Sequence, residues 1–215
     1  MRRVDLAKQL VSAKTSAGRK RLVAENLRIA DIKLADEIRR ICYSAWTVEP
    51  KTARKAALAM RALAKANNLD EIKAAAFWVE GISQITKGRF AAAAESLDRA
   101  VLTLNRIGES KNAAQAQVAQ LLALAMLGRY GEAIETGKKA LAIFLKAGDD
   151  LDAGKIEMNL SNIVSRQMRH AEAEKYCRAA LKHFIKAGEK NWQAMAENGL
   201  ANTYAELNDL KKAAE

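Results

Sequence analysis

Apolar residues recur at helical spacing along almost the whole chain, and short polar or glycine-containing breaks separate the segments that carry them. Spacings of three and four residues place side chains on one face of a helix. No run of alternating valine, isoleucine and threonine indicates a strand. The pattern predicts an all-α protein. The predicted helices are residues 3–15, 19–29, 31–46, 50–67, 71–87, 89–107, 111–127, 129–146, 150–167, 169–186 and 191–207, with a last one from residue 209.

From residue 70 onward, small residues return every 40 residues in the same slots. A fixed period of this length is typical of stacked helical repeats, in which each unit buries its apolar face against the next. The sequence therefore predicts a right-handed α-solenoid of antiparallel helix pairs. One of these positions holds Ala93, Ala133, Ala173 and Ala213. Another holds Gly108, Gly148 and Gly188.

Two regions are predicted along the chain. Residues 1–67 form a basic N-terminal helical region with a degenerate repeat or cap, because the terminal repeats of a solenoid usually diverge. Residues 68–215 form the array. The last predicted helix is cut short by the end of the chain, so we expect either a longer protein or a partner that caps it. The expected units are 70–108, 109–148, 149–188 and the incomplete 189–215.

Two lines of sequence carry a family resemblance. Residues 123–133 and 198–207 resemble the tetratricopeptide repeat family, with its small residue, tyrosine, leucine-glycine, aromatic and alanine pattern. The resemblance covers residues 70–215. The repeat is 40 residues long where the family unit is about 34, as in a longer variant with an extended second helix. Met168 and His170 replace the usual glycine and aromatic, which predicts a looser third turn.

A second resemblance concerns the whole chain. Residues 22–46 and 116–130 are similar to the N-terminal helical part of large bacterial proteins that carry a caspase-like CHAT protease domain after the repeats. This resemblance implies that the chain is the regulatory arm of a cysteine protease. The catalytic His and Cys would lie in a later domain, so no residue of this chain is assigned a catalytic role.

The tetratricopeptide resemblance implies a concave groove lined by the first helix of each pair. Asn162 and Asn202 would clamp the main chain of an extended segment, because an amide both donates and accepts hydrogen bonds. Lys155 and Arg166 would pair with acidic side chains. Alternatively, these polar residues only solvate the inner face. The first two units are more apolar, which favours packing of a neighbouring protein helix. The implied groove residues are Trp78, Ile82, Gln115, Val118, Leu122, Lys155, Met158, Asn162, Arg166, Met195, Asn198, Asn202 and Glu206.

The formal net charge of +11 is unevenly distributed. Residues 1–65 carry sixteen Lys and Arg against six Asp and Glu, whereas the rest of the chain is nearly balanced. Such asymmetry can indicate nucleic-acid binding or another acidic partner; the alternative is a solvated helical face. Tyr43 and Trp46 are candidates for base stacking or for core anchors. The candidate basic patch is Arg19, Lys20, Arg21, Arg28, Lys33, Arg39 and Arg40.

The sequence predicts no catalytic or metal site in this chain. Two cysteines are too few for a disulfide framework or a thiolate metal site, and seven residues of helix separate His170 from Cys177, about 10 Å, too far for a nucleophilic pair. The charged start of the chain, with no apolar run behind it, argues against a secretory signal. The longest apolar run, residues 121–127, is shorter than the about 20 residues that span a bilayer. We expect a cytoplasmic, non-enzymatic scaffold without cofactor, metal or membrane partner, which binds another protein or a downstream domain of the same chain.

Overall fold

The computed structural model describes residues 2–207, and this part of the chain contains eleven α-helices, one short 3₁₀ helix and no strand. The all-α prediction is confirmed. The predicted helix from residue 209 lies outside the described residues. The 3₁₀ helix is Leu27–Ile29. The α-helices are α1 Arg3–Ser12, α2 Ser16–Ala24, α3 Ile32–Ala45, α4 Pro50–Ala66, α5 Asp70–Ile85, α6 Phe90–Arg106, α7 Ser110–Met126, α8 Tyr130–Lys146, α9 Asp150–Ser165, α10 His170–Ala187 and α11 Lys190–Glu206.

The largest difference from the predicted helices is at α2, which begins three residues early and ends five residues early. It begins at Ser16 because the Thr15 hydroxyl accepts the backbone N–H of Gly18 at 3.0 Å, the usual way to satisfy a first-turn donor. The chain leaves the helix after Ala24 and forms the 3₁₀ turn instead. The other helix ends agree with prediction to within a few residues, because their caps and glycines are local signals.

The chain forms two compact units, divided after Ala123, within α7. In the first unit α3 packs on α4, α1 and α2 pack against that pair, and α4 leads to the α5–α6 pair. In the second unit α8 packs on α9, α9 pairs with α10, and α10 packs on α11. The predicted boundary at residue 67 falls inside the first unit and stays a prediction. Among residues 2–207, no helix has the length and apolar content needed to cross a bilayer.

Small residues allow the paired helices to approach closely. Ala93, Ala133 and Ala173, which share one slot of the repeat, are all fully buried. A Cβ atom built on Gly154 of α9 would lie 2.6 Å from a ring carbon of Phe184 in α10. Carbon atoms that are not bonded to each other do not approach this closely. The packing of α9 against α10 therefore requires a residue without a side chain at position 154. The periodic small residues thus set the distance between helices.

The turn after α9 has the same backbone as the glycine turns, although it contains no glycine. Gly128 has a φ of 72°, and Met168, 40 residues later, has a φ of 61°. In both turns the next residue, an arginine, donates its N–H to a carbonyl five residues earlier, the bond typical of a Schellman helix end. The prediction of a looser third turn is therefore wrong.

We expect Met168→Gly to stabilise the protein by about 1 kcal/mol. A left-handed conformation costs a non-glycine residue about 1–2 kcal/mol, part of which is offset by the extra freedom of glycine in the unfolded chain. The Met168 side chain is 77% exposed, so its loss removes little packing. Urea unfolding followed by circular dichroism measures the change. The reverse change, Gly148→Met at φ 65°, is the control and should lower the free energy of unfolding. If Met168→Gly also lowered it, the backbone at Met168 would not be strained.

Candidate partner-binding groove

In the first unit, side chains bridge the first helices α3, α5 and α7. The family resemblance assigns these helices to the inner face of the repeats. Trp78 of α5 is only 1% exposed. Its indole N–H donates to the Tyr43 hydroxyl of α3 at 3.0 Å, and the two rings meet edge to face with centroids 5.6 Å apart. The Tyr43 hydroxyl in turn donates to the backbone carbonyl of Gln115 in α7 at 3.2 Å. Tyr43 therefore ties three helices together; the base-stacking role suggested for Tyr43 and Trp46 stays a prediction.

Arg39 completes this arrangement. Its guanidinium lies 4.6 Å from the centroid of the Trp78 ring, a cation–π geometry. It also donates to the Asp36 carboxylate at 3.0 Å and to the Gln115 side chain at 3.4 Å. A cavity of about 260 Å³ remains beside Trp78, with Glu71 in its wall. Arg39 and Tyr43 thus each contact both Trp78 and Gln115 beside this cavity.

The predicted groove residues of the first unit differ in accessibility. Trp78 lines the cavity, whereas Ile82 is fully buried, so the prediction that Ile82 lines an accessible groove is wrong. Gln115 is half-buried and already bonded to α3. Val118 is half-buried, and Leu122 is 37% exposed. That this part of the groove packs a partner through an apolar surface stays a prediction.

In the second unit the first helices α9 and α11 expose amides. Asn162 and Asn202 are both exposed. One turn further on, the Ser165 hydroxyl of α9 donates to the Glu206 carboxylate of α11 at 3.0 Å. Residues three or four apart lie on the same face of a helix. Asn162 and Asn202 therefore lie on the same side of the α9–α11 face as that hydrogen bond.

Other predicted residues of the second unit have structural partners. Met158 is buried in a core cluster with Cys177 and Phe184, so its assignment to the groove surface is wrong; its side chain fills the space between α9, α10 and α11. Lys155 pairs with Asp152 at 2.9 Å. Glu206, besides its bond to Ser165, lies 2.7 Å from a His170 ring nitrogen. The exposed positions that remain beside the two asparagines are Arg166, Met195 and Asn198.

A buried carboxyl group lies between α9 and α10. Glu157 is 6% exposed, and burial raises the pKa of its carboxyl to about 7. His183 lies beside it: its Nε2 is 3.8 Å from Glu157 Oε2, and its Nδ1 is 2.8 Å from Asp150 Oδ1. Lys186 and then His183 hold the pKa of the Asp150 carboxyl below its ordinary value. Within the described residues, no group of three or more His, Cys, Asp or Glu is arranged to hold a metal ion.

Both cysteines are buried thiols. Burial raises the pKa of Cys42 to about 12 and also raises that of Cys177, whose sulfur lies 2.9 Å from the Ser161 hydroxyl oxygen. Because the thiolate is the reactive form of cysteine, raised pKa values make both groups poor nucleophiles. Cys177 packs in the core beside Phe184 and Leu200.

The candidate basic patch is not one continuous surface. Arg19 is 4% exposed and donates Nε–H to the Leu10 carbonyl at 3.1 Å, so its assignment to the surface is wrong. Arg21 pairs with Glu25 at 2.6 Å, and Arg40 with Glu37 at 3.2 Å, while Arg39 belongs to the inner face described above. Lys20, Arg28 and Lys33 remain exposed.

Instead, the structure brings a different set of cations together. A cavity of about 370 Å³ between α2 and α4 is lined by Arg19 and Lys20 of the predicted patch and by Lys14, Arg61 and Lys65, which sequence analysis missed. Arg61 and Lys65 lie four residues apart, so they share a face of α4. That spacing is visible in the sequence, but the packing of α2 against α4 is not.

Comparisons with known proteins place this fold. Residues 152–215, from α9 onward, match the family model of the tetratricopeptide repeat. No curated protein matches the chain. The matched stretch contains both exposed asparagines of the α9–α11 face.

Two solved structures are similar to the whole chain. The crystal structure of BtubC (BKLC) from P. vanneervenii shares 16% sequence identity with a TM-score of 0.70, over 97% of this chain and 87% of that one. A Rap protein complexed with competence and sporulation factor shares 12% identity with a TM-score of 0.66, over 98% of this chain and 61% of that one. At such identities the likeness shows the fold alone. The predicted fold class, a solenoid of antiparallel helix pairs, is confirmed.

Proposed function

We propose that the chain is a protein-interaction scaffold whose second unit holds an extended segment of a partner on the α9–α11 face. Tetratricopeptide repeats in general mediate binding between proteins, and this chain carries them. The observation that supports this face is the pair of exposed amides, Asn162 and Asn202, on one side of two adjacent first helices. A main chain presents alternating donors and acceptors, and an amide side chain can bond to both.

One position of the repeat becomes more exposed and more polar along the chain, which favours the second unit as the binding site. Ile82 is fully buried, Leu122 is 37% exposed, and Asn162 and Asn202 are exposed and polar. In the first unit the equivalent face is bridged by its own Tyr43. A partner would have to displace those contacts in the first unit, whereas the amides of the second unit need only lose water.

The remaining exposed side chains of this face suggest the chemistry of the partner segment. Arg166 pairs with none of the described acidic side chains, so it is open to a carboxylate of the partner. Met195 presents an exposed apolar surface on α11. The segment we expect is extended, with an acidic side chain towards Arg166 and an apolar one towards Met195. The Rap protein, crystallised with competence and sporulation factor, supports the idea that such a fold holds a partner.

Two other hypotheses stay predictions. In the regulatory arm of a CHAT-type protease, a downstream domain of the same cytoplasmic chain would occupy the groove. Nucleic-acid binding through the N-terminal third is disfavoured by the pairing of Arg21 with Glu25 and of Arg40 with Glu37, since paired charges release fewer phosphate counterions. The scaffold proposal treats the protein as having no catalytic role.

The test uses peptides selected from a random library against the wild-type protein. The change is Asn162→Ala together with Asn202→Ala. Each lost amide bond should cost about 0.5–1.5 kcal/mol, so we expect the double variant to bind the selected peptides about tenfold more weakly. Fluorescence anisotropy of labelled peptides measures the affinities, and circular dichroism checks that the helices are intact.

The matched control is Asn68→Ala together with Asn105→Ala, two exposed asparagines of the first unit. This variant should bind the peptides as the wild type does. Peptides that bind all three proteins equally would show that the α9–α11 amides do not clamp a partner. If only the control variant lost binding, the peptide site would lie in the first unit.

A further inference from the structure

The cavity between α2 and α4 of the first unit is unusual in charge. Five of its eight lining residues are cationic and none is acidic. It lies beside the start of α2, since Lys14 and Ser16 are among its lining residues. Arg19 and Lys20 come from α2, Arg61 and Lys65 come from α4, and Lys14 precedes α2. The lining residues are Lys14, Ser16, Arg19, Lys20, Leu58, Arg61, Ala62 and Lys65.

Arg19 is the buried member of this set. It is 4% exposed, and its only hydrogen bond to a described residue is from Nε to the Leu10 carbonyl. No described carboxylate neutralises it, and burial lowers the pKa of its guanidinium. A buried charge without a partner is costly. Its two terminal nitrogens, which bond to none of the described residues, are therefore available to an anion in the cavity.

The other cations add charge that the described protein does not cancel. Arg61 pairs with Glu80 at 2.8 Å. Lys14, Lys20 and Lys65 pair with none of the described carboxylates. With Arg19 this leaves four uncompensated positive charges around one cavity. A phosphate monoester carries about −1.5 to −2, so two linked phosphates match the cavity better than one.

We infer that this cavity binds the diphosphate group of a small phosphorylated molecule. Arg19 offers the planar, paired donors that suit a phosphate oxygen pair. Lys14, Lys20 and Lys65 act as mobile point charges at the rim, and the Ser16 hydroxyl is a further donor. The site is independent of the α9–α11 face and of the function proposed for it.

The test is calorimetric titration of the full chain with pyrophosphate at low and at physiological ionic strength. The change is Lys20→Ala together with Lys65→Ala, because both side chains are exposed and their loss should not affect folding. We expect saturable binding to the wild type and at least tenfold weaker binding to the double variant. Orthophosphate should bind more weakly than pyrophosphate. Arg19→Gln should abolish binding, but the result with the lysine pair is decisive if that variant does not fold.

Lys8→Ala together with Lys51→Ala is the control, since it removes the same charge from exposed positions outside the cavity. It should change the pyrophosphate affinity less than twofold. Equal weakening in both double variants would show only the general attraction of a chain with net charge +11, and would overturn the site. Absence of saturable binding, or equal affinity for orthophosphate, would overturn it as well. If ADP displaces pyrophosphate, the diphosphate belongs to a water-soluble molecule. If only a polyprenyl diphosphate displaces it, the diphosphate belongs to a lipid. Either result supports the diphosphate assignment.

Discussion

Replacing Gly154 with valine should destabilise the second unit by about 3 kcal/mol, at the upper end of the usual cost of overpacking. The new Cβ would lie 2.6 Å from Phe184 Cε1 and 2.9 Å from two other ring carbons. The Phe184 ring cannot easily yield, because it is fully buried and stacks on Trp192 with centroids 5.5 Å apart. The helices α9 and α10 must separate instead. Urea unfolding followed by circular dichroism measures the loss of free energy of unfolding.

Gly131→Ala is the matched control for this substitution. Gly131 lies in the first turn of α8, and nothing would lie within 4 Å of a Cβ atom there. Alanine in a helix is favoured over glycine by roughly 0.5–1 kcal/mol, so this change should stabilise. In a Phe184→Leu background, Gly154→Val should cost less, because the smaller side chain leaves room for the valine methyl groups. An equal cost in both backgrounds would mean that the contact with the Phe184 ring does not limit the approach of the helices.

The sequence was sufficient for the helices because their signals are local. Pro50 at a first helical position, Gly128 at a turn and the three- and four-residue spacings each act within about one helical turn. The repeat register also predicted which helices pair. It failed at Met168, because the left-handed turn is imposed by the bond from the Arg169 N–H to the Val164 carbonyl and not by the residue type.

The candidate groove was harder to predict, because the repeat register gives the face of a residue but not its depth. Ile82 and Asn162 hold the same slot, yet one is buried and the other exposed. What covers the inner face of the first unit is Tyr43 and Arg39, which lie about one repeat away in sequence. The cationic cavity depends likewise on α2 meeting α4, a contact between segments that no local pattern links.

Trp78→Ala should destabilise the first unit by roughly 3–5 kcal/mol, the usual cost of removing a buried tryptophan. The substitution removes the ring that Tyr43 meets edge to face and that Arg39 covers at 4.6 Å. It also leaves the Tyr43 hydroxyl without its indole donor. Because Tyr43 still has to reach Gln115, we expect α3, α5 and α7 to lose cooperative packing on the inner face together. The urea midpoint and its slope measure the loss and any change in cooperativity.

A double-mutant cycle separates the hydrogen bond from the packing. Trp78→Phe keeps a buried aromatic ring but removes the indole N–H, and Tyr43→Phe removes the hydroxyl that accepts it. If the bond holds the inner face together, the two changes should be less than additive by about 1 kcal/mol. Strict additivity would show that Trp78 acts through its size alone. In that case the Trp78 N–H would not help to hold Tyr43 against Gln115, and the contrast with the α9–α11 face would depend on the Tyr43–Gln115 hydrogen bond alone.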